Sequence, residues 1–207
     1  MGTYVVRRIL NNNAFVSVDA NGQEIVVMGK GIVFQKSGGD RIPCSRAEQV
    51  FQLSQENTSR FQELIARIPM NYMVLSEKII SMAEKNMNKT LDESIHITIT
   101  DHIYSAVQRY QRGLVLRNSM RWEIQRYYPQ EYAVGLEAAR MVRQALEVPF
   151  AEDEAAFMAL HFVNAGTGME IGQMYEVTEL ISGICTIVHG EFGAEFDTQA
   201  LAYHRFI

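Results

Sequence analysis

The stretch FVSVDANGQEIVVM, residues 15–28, predicts a β-hairpin. Aromatic and β-branched residues, which favour extended strands, occur in both of its arms. The Asn21-Gly22 pair between the arms tolerates the positive φ that a tight hairpin turn requires. Residues 15–18 and 24–28 are therefore expected to pair as antiparallel strands.

Short apolar runs on either side of this hairpin predict further strands, separated by turns rich in Asn and Gly. The predicted strands are 4–6, 9–10, 32–34 and 50–53, with turns at 11–13, 29–31 and 37–40. The first 55 residues thus predict a small antiparallel β domain. Because so small a domain buries little apolar surface by itself, we expect it to dimerise.

Beyond residue 58 the apolar residues recur every three or four positions, the period of an amphipathic helix. The clearest stripe is Ile95, Ile99, Ile103, Ala106 and Tyr110. Predicted helices cover 58–67, 72–85, 92–110, 120–127, 132–146, 152–164 and 174–188, with a linker at 166–168 and one more helix from 198. The chain is therefore predicted to be a multidomain α+β protein, in which a small antiparallel β-sheet domain precedes an all-α helical bundle.

The composition is that of an ordinary globular protein, with 47% hydrophobic and 21% charged residues. No apolar run is long enough for a membrane span, and the N-terminus lacks the apolar core of a secretion signal. The two cysteines, Cys44 and Cys185, lie far apart and suit free thiols in a reducing compartment. We therefore expect a cytoplasmic protein that does not insert into the membrane.

Charge is unevenly distributed along the chain. Residues 1–55 contain six Lys or Arg and four Asp or Glu, a net charge of +2, and the whole chain has −5, which leaves −7 for the remainder. A basic first domain on an acidic body favours nucleic-acid contact by the first domain.

The motifs that usually mark an enzyme are missing from the sequence. It has no Gly-rich phosphate loop of the P-loop or dinucleotide type, no His-Glu-x-x-His pattern, no Cys-x-x-Cys pair and no Gly-x-Ser-x-Gly elbow. No two histidines have the i, i+4 spacing of a helical metal site. We therefore expect no catalytic activity, no metal and no cofactor.

Two short segments of the first domain are either ordinary turns or nucleic-acid contacts. In the second case the Asn side chains of residues 11–13 would bond base edges, and the bare backbone of residues 29–31 would allow close approach. Phe34 would stack on an unpaired base. Phosphate contacts would come from Arg8, Lys30 and Lys36.

The histidines allow a similar pair of interpretations. His102 lies beside Asp101 on the apolar stripe, and His161 follows Glu154 by seven residues, so that this second pair shares one helix face. Each histidine is either a partly buried, hydrogen-bonded residue, an ordinary surface residue or a functional one.

Several linked motifs resemble the BglG/SacY/LicT family of bacterial transcription antiterminators. The first domain resembles the RNA-binding head of that family, and the later motifs resemble its PTS-regulation domains, named for the sugar phosphotransferase system (PTS). The motifs are ILNNN (9–13), VVMGKGIVFQK (26–36), SGGD (37–40), ITITDHIYSAVQRY (97–110), RWEIQRYYPQEY (121–132), DEAAFMALHFVNA (153–165) and FDTQALAYHRFI (196–207). The resemblance covers nearly the whole chain.

The resemblance implies a dimeric RNA-binding domain at 1–57 and a first PTS-regulation domain at 58–168. Residues 169–207 would begin a second such domain, and because residues 201–207 stop in mid-helix without a cap, we expect that the chain is cut inside it. The implied function is to bind a hairpin in the leader mRNA of a sugar operon, which excludes the overlapping terminator.

The same resemblance implies which residues contact RNA. They are Asn13, Gly29, Lys30, Gly31 and Phe34, with Arg8 and Asn11 as helpers. The family often has Arg where this chain has Lys30, and lysine lacks the planar fork that supports a bidentate base contact.

The resemblance also implies phosphorylation of His102 and His161. A phosphohistidine would add roughly two negative charges. The sugar-specific transporter would phosphorylate the first regulatory domain and inhibit, and the general phosphocarrier would act on the second. The residues expected either to contact these two histidines or to form simple ion pairs are Asp101, Arg109, Arg126 and Glu154. His204 does not match the phosphorylation site of the second domain.

Two other functions stay open at this point. A PTS-regulated DNA-binding activator would carry a helix-turn-helix head, which the alternating first domain disfavours. A phosphohistidine relay would pass its phosphoryl group from His102 or His161 to a further acceptor. For an antiterminator, Asn13→Ala is expected to lose read-through at unchanged stability.

Overall fold

A computed structural model of the chain describes residues 2–52, 54–168 and 171–192. The described residues form two compact units, one within 1–77 and 96–104, the other within 78–95 and 105–207. The chain begins with small antiparallel sheets and continues as helices, which confirms the predicted fold class. Within residues 2–52 it forms strands, turns and one short 3-10 helix, so the helix-turn-helix head of the DNA-binding alternative does not occur there.

Six short strands build the sheets of the first unit. They are β1 (Thr3–Val5), β2 (Arg8–Asn11), β3 (Ala14–Val18), β4 (Glu24–Met28), β5 (Arg41–Pro43) and β6 (Gln49–Gln52). One sheet has four antiparallel strands in the order β2-β3-β4-β6, and the other pairs β1 with β5.

The predicted hairpin is present as β3 and β4. Val18 pairs with Glu24, and Asp19 closes the connecting loop, because its amide donates to the Gln23 carbonyl at 2.9 Å. The Asp19 carboxylate accepts the amides of Asn21 and Gln23, both at 2.8 Å. Gly22 has a φ of 81°, the positive value that the Asn-Gly pair predicted for this turn.

The prediction of a strand at residues 32–34 is wrong. This segment consists of consecutive turns, in which Ile32 donates to Gly29, Phe34 to Gly31 and Lys36 to Val33 at 3.0–3.1 Å. Ile32 and Val33 are nevertheless buried in the core, so a buried turn produced the apolar run of a strand. Strand β5, which the sequence did not predict, pairs with β1 instead.

An apolar cluster with residues from both sheets lies between them. Tyr4 and Ala47 pack against its edge. Its buried members are Val6, Phe15, Ile25, Val27, Ile32, Val33 and Ile42.

Seven helices follow within the described residues. They are α1 (Gln55–Arg67), α2 (Met70–Met87), α3 (Ile95–Gln111), α4 (Arg121–Tyr127), α5 (Pro129–Leu146), α6 (Glu152–Thr167) and α7 (Ile171–Phe192). Each corresponds to a predicted helix. Two parts of the prediction lie outside the described residues: Leu53, the last residue of the strand predicted at 50–53, and the helix predicted from residue 198.

The ends of the helices differ from prediction where local bonds extend or stop them. Helix α6 includes the predicted linker up to Thr167, whose hydroxyl donates to the Val163 carbonyl, and stops at Gly168 with a φ of 74°. Before α3, the Asp92 carboxylate accepts the Ser94 amide at 2.9 Å. Hydrogen bonds from the hydroxyl and amide of Ser94 lower the pKa of the Asp92 carboxyl.

Helix α1 covers part of the four-stranded sheet of the first unit. It packs against β2 and β4, and the Phe61 ring meets the Phe51 ring edge to face with centroids 4.7 Å apart. In the second unit, α5 and α6 make the most extensive helix–helix contact. None of the described helices combines the length and apolar character needed to cross a membrane.

Candidate functional site

The site is built around the turn Gly29-Lys30-Gly31, called here the GKG turn, which directly follows β4. Asn13, between β2 and β3, binds it twice: the Asn13 carbonyl accepts the Gly29 amide at 2.9 Å, and Asn13 Oδ1 accepts the Gly31 amide at 2.7 Å. Because an N–H group can only donate, the Asn13 oxygen must face the turn. The Nδ2 group of Asn13 is therefore directed away from that bond.

The two glycines of the GKG turn are needed for different reasons. A Cβ on Gly29 would lie 2.5 Å from the Arg46 carbonyl oxygen, so only glycine fits there without a backbone shift. Gly31 has open space around it but a φ of 58°, which side-chain-bearing residues rarely adopt. From the sequence alone, a close approach of RNA explains glycine at position 29. The packing of Arg46 against Gly29 already requires a residue without a side chain there.

Lys30 and Phe34 extend from this turn into solvent. Lys30 is exposed, and Phe34 is 62% exposed, a large value for an aromatic residue. The buried neighbours Ile32 and Val33 anchor the segment between them. A cation and an aromatic side chain are therefore both exposed within five residues of one turn segment, an arrangement suited to phosphate contact and base stacking.

The predicted helper residues on β2 are engaged in internal bonds. Asn11 Oδ1 accepts the Asn13 amide at 2.7 Å, and Asn11 Nδ2 donates to the Ile65 carbonyl of α1 at 2.8 Å. The Arg8 guanidinium donates to Gln62 Oε1, also on α1. Hydrogen bonds thus connect Asn11, Asn13 and the GKG turn directly, whereas Arg8 bonds to α1.

Two residues at this turn were missed by sequence reasoning, Arg46 and Glu48. The Arg46 guanidinium donates to the Gly31 carbonyl at 3.1 Å, and Glu48 Oε1 accepts the Lys30 amide at 3.0 Å. Both belong to a short segment, residues 45–48, whose only apolar residue is Ala47 and which therefore has no apolar period. Nothing in the sequence relates them to a turn 15 to 18 residues away.

His102 is half-buried on α3 in the first unit, where Ile99 and Ile103 are buried as the predicted stripe requires. Its neighbour Asp101 pairs with Arg67 of α1 at 2.6 Å, with side chains 45% and 62% exposed. Ion pairs this exposed contribute little to stability. Asp101 thus has an ion-pair partner on α1.

His161 is half-buried on α6 in the second unit, between the buried residues Leu160 and Phe162. Glu154, two turns earlier, is 1% exposed and pairs with Arg109 at 3.1 Å. The Arg126 guanidinium lies 5.8 Å from the centroid of the Tyr127 ring. His204 lies outside the described residues, and among those that are described no cluster of His, Cys, Asp or Glu could hold a metal ion.

Comparisons with known proteins match both parts of the chain. Residues 4–60 match the family of the CAT RNA-binding domain, and residues 77–165 match the PRD domain family. The predicted boundaries after residues 57 and 168 stay predictions.

The chain is 41% identical over 203 residues to transcription antiterminator LicT of Bacillus subtilis, covering 98% of this chain and 73% of LicT. It is 36% identical over 203 residues to the beta-glucoside operon antiterminator of Dickeya chrysanthemi, covering 98% of this chain and 72% of that protein. The crystal structure of GlcT CAT-PRDI superposes with a TM-score of 0.68 at 30% identity, over 80% of this chain and 99% of that chain. The chain therefore belongs to the family of transcription antiterminators in which a CAT RNA-binding domain precedes a PRD domain.

Proposed function

We propose that this protein is the antiterminator of a sugar-utilisation operon. It binds a hairpin in the leader mRNA through its first domain and thereby prevents the overlapping terminator hairpin from forming. It acts in the cytoplasm as a ligand of RNA, without catalysis, cofactor or DNA binding. Family membership supports this proposal, together with the sheet-based first domain.

The observation that carries the proposal is the GKG turn. Its backbone is held by Asn13, and the exposed Lys30 and Phe34 extend from it. Stacking of one unpaired base on an aromatic ring contributes about 1–3 kcal/mol, and a lysine adds a phosphate contact. Asn13, Gly29, Lys30, Gly31 and Phe34 form the proposed RNA surface, with Arg8 and Asn11 beside it.

Binding alone is sufficient to shift the choice between two RNA hairpins. A ligand that binds only one of them stabilises it by RT ln(1 + [L]/Kd), about 2.7 kcal/mol at a concentration 100-fold above Kd. A difference of this size favours one of two nearly equal structures about 100-fold.

The RNA-binding form is a homodimer. Strands β2 and β6 are the outer strands of the four-stranded sheet, and each exposes an apolar side chain: Ile9 is 39% and Val50 is 44% exposed. An outer strand has unpaired backbone groups that a second chain can cover. A dimer also gives so small a domain the apolar burial that it lacks by itself.

Phosphorylation of His102 and His161 by phosphotransferase-system proteins controls the activity. The donors are the sugar-specific transporter component and the phosphocarrier protein. The first regulatory domain covers 58–168, and a second begins at 169–207. At His102 a phosphoryl group would add negative charge next to Asp101, whose carboxylate already pairs with Arg67. Such charge changes the helix contacts on which the pairing of the RNA-binding domains depends.

RNA binding by the full chain tests the proposal. We expect a gel shift with the stem-loop of its own leader, and an affinity that falls steeply as salt rises, because phosphate contacts release counterions. A stem-loop with its unpaired bases replaced serves as the control and should bind weakly. If the folded chain failed to bind, or bound duplex DNA of the same sequence equally well, the proposal would be wrong.

His102→Asp is expected to lower read-through in a transcription assay by about 5-fold or more, the lower range of measured allosteric couplings. The carboxylate supplies part of the charge of a phosphoryl group. His102→Asn, which is neutral and cannot be phosphorylated, is the matched control and should keep full read-through. Equal read-through by both variants would contradict a regulatory role for His102.

A further inference from the structure

We propose that Arg46 and Glu48 are positioning residues of the RNA-binding surface: they hold the GKG turn in its binding conformation without contacting RNA themselves. This inference rests on the proposed RNA-binding function. It starts from the hydrogen bonds around the turn, in which three side chains each hold one of three successive peptide groups.

The three peptide groups and their partners follow each other along the turn. The Lys30 amide, in the first group, donates to Glu48 Oε1 at 3.0 Å. The Gly31 amide, in the second, donates to Asn13 Oδ1 at 2.7 Å. The Gly31 carbonyl, in the third, accepts from the Arg46 guanidinium at 3.1 Å. With all three planes held, the turn cannot reorient any of them without breaking a bond.

The segment that carries the two side chains is itself fastened to the turn. The Glu48 amide donates to the carbonyl of Met28, the residue just before Gly29, at 2.8 Å. The Arg46 carbonyl oxygen fills the place that a Cβ on Gly29 would need, at 2.5 Å. The turn is thus supported by Asn13 and by residues 46–48.

Because Glu48 is negatively charged, a positioning role and a purely electrostatic role predict opposite effects of its removal on RNA binding. A carboxylate beside a surface that binds a polyanion repels phosphate, so by charge alone its removal should strengthen RNA binding. The structure indicates the opposite, because Glu48 makes a charge-assisted bond to the Lys30 amide, and such bonds are about twice as strong as neutral ones. Loss of a preordered backbone raises the entropic cost of binding.

The test measures the affinity of the full chain for its leader stem-loop at several salt concentrations. Glu48→Ala is expected to bind roughly 10-fold more weakly, the effect of freeing about one backbone residue. Glu48→Gln keeps an acceptor and should stay close to wild type. Glu63→Ala, on the exposed side of α1, removes the same charge elsewhere in the unit and should not weaken binding. Equal or tighter binding by Glu48→Ala would overturn the positioning role.

Arg46 is tested through the salt dependence. Arg46→Gln should weaken binding while the slope of log K against log salt stays unchanged, whereas loss of a phosphate contact lowers that slope by about 1. Arg41→Gln, which removes an exposed charge from β5, is the charge-matched control. A slope reduced in Arg46→Gln beyond that of the control would show direct RNA contact and overturn the assignment.

A third measurement does not depend on RNA. Hydrogen exchange of the Lys30 amide, observed by NMR in the full chain, should accelerate about 10-fold in Glu48→Ala, since the bond that protects it is gone. Unchanged exchange would overturn the proposal even if RNA binding fell. If wild type itself bound no RNA, the proposed function would fail, and the positioning role with it.

Discussion

Asn13→Asp is expected to weaken binding of the leader RNA about 100-fold, while the first domain stays folded. The carboxylate keeps the oxygen that accepts the Gly31 amide at 2.7 Å, so the GKG turn retains its support. The substitution replaces the outward Nδ2 donor by a negative charge. Loss of a base contact together with repulsion of phosphate amounts to about 3 kcal/mol. Fluorescence anisotropy with the labelled stem-loop measures the affinity, and thermal unfolding measures the stability.

Asn13→Ala is a less specific change than the sequence alone indicates. It removes the outward Nδ2 donor and also the acceptor of the Gly31 amide, and an amide left without its acceptor costs about 1–3 kcal/mol. We therefore expect this variant to lose stability as well as read-through, unlike the expectation from the sequence. An Asn13→Asp variant that bound RNA like wild type would remove Asn13 from the proposed RNA surface.

Gly135→Ala is expected to destabilise the second unit by about 3 kcal/mol, at the upper end of the usual cost of overpacking. A Cβ at this position of α5 would lie 2.2 Å from the Ala155 carbonyl oxygen and 3.3 Å from the Ala159 nitrogen, both on α6. These are backbone atoms of a helix, so no side-chain rotation can relieve the clash. The two helices would have to separate, and α6 carries His161.

Chemical unfolding followed by circular dichroism checks this prediction. Gly183→Ala is the matched control, because Gly183 lies inside α7 with nothing within 4 Å of the added Cβ. There the same substitution should leave stability unchanged or raise it by up to about 1 kcal/mol, the helix preference of Ala over Gly. Similar stabilities of the two variants would mean that α5 and α6 do not pack as closely as described.

The helices show how much of the fold the period of apolar residues can predict. The recurrence of apolar residues predicted every described helix, because burial of one helix face requires that period whatever the helix packs against. It did not predict that α5 and α6 approach so closely that Gly135 leaves no room for a methyl group. The spacing between two helices depends on residues of both, and these are distant in sequence.

In the first domain, too, local features were predictable from sequence, whereas contacts between distant segments were not. The sequence by itself determined the β3–β4 hairpin, because Asn21-Gly22 and its flanking strands are local signals. By resemblance it also pointed to the residues proposed for RNA. Only the tertiary structure decided that residues 32–34 form a turn, because the buried Ile32 and Val33 give it the same apolar run as a strand. Only the tertiary structure brought Arg46 and Glu48 to the GKG turn, because a hydrogen bond depends on proximity in space and leaves no periodic pattern in the chain.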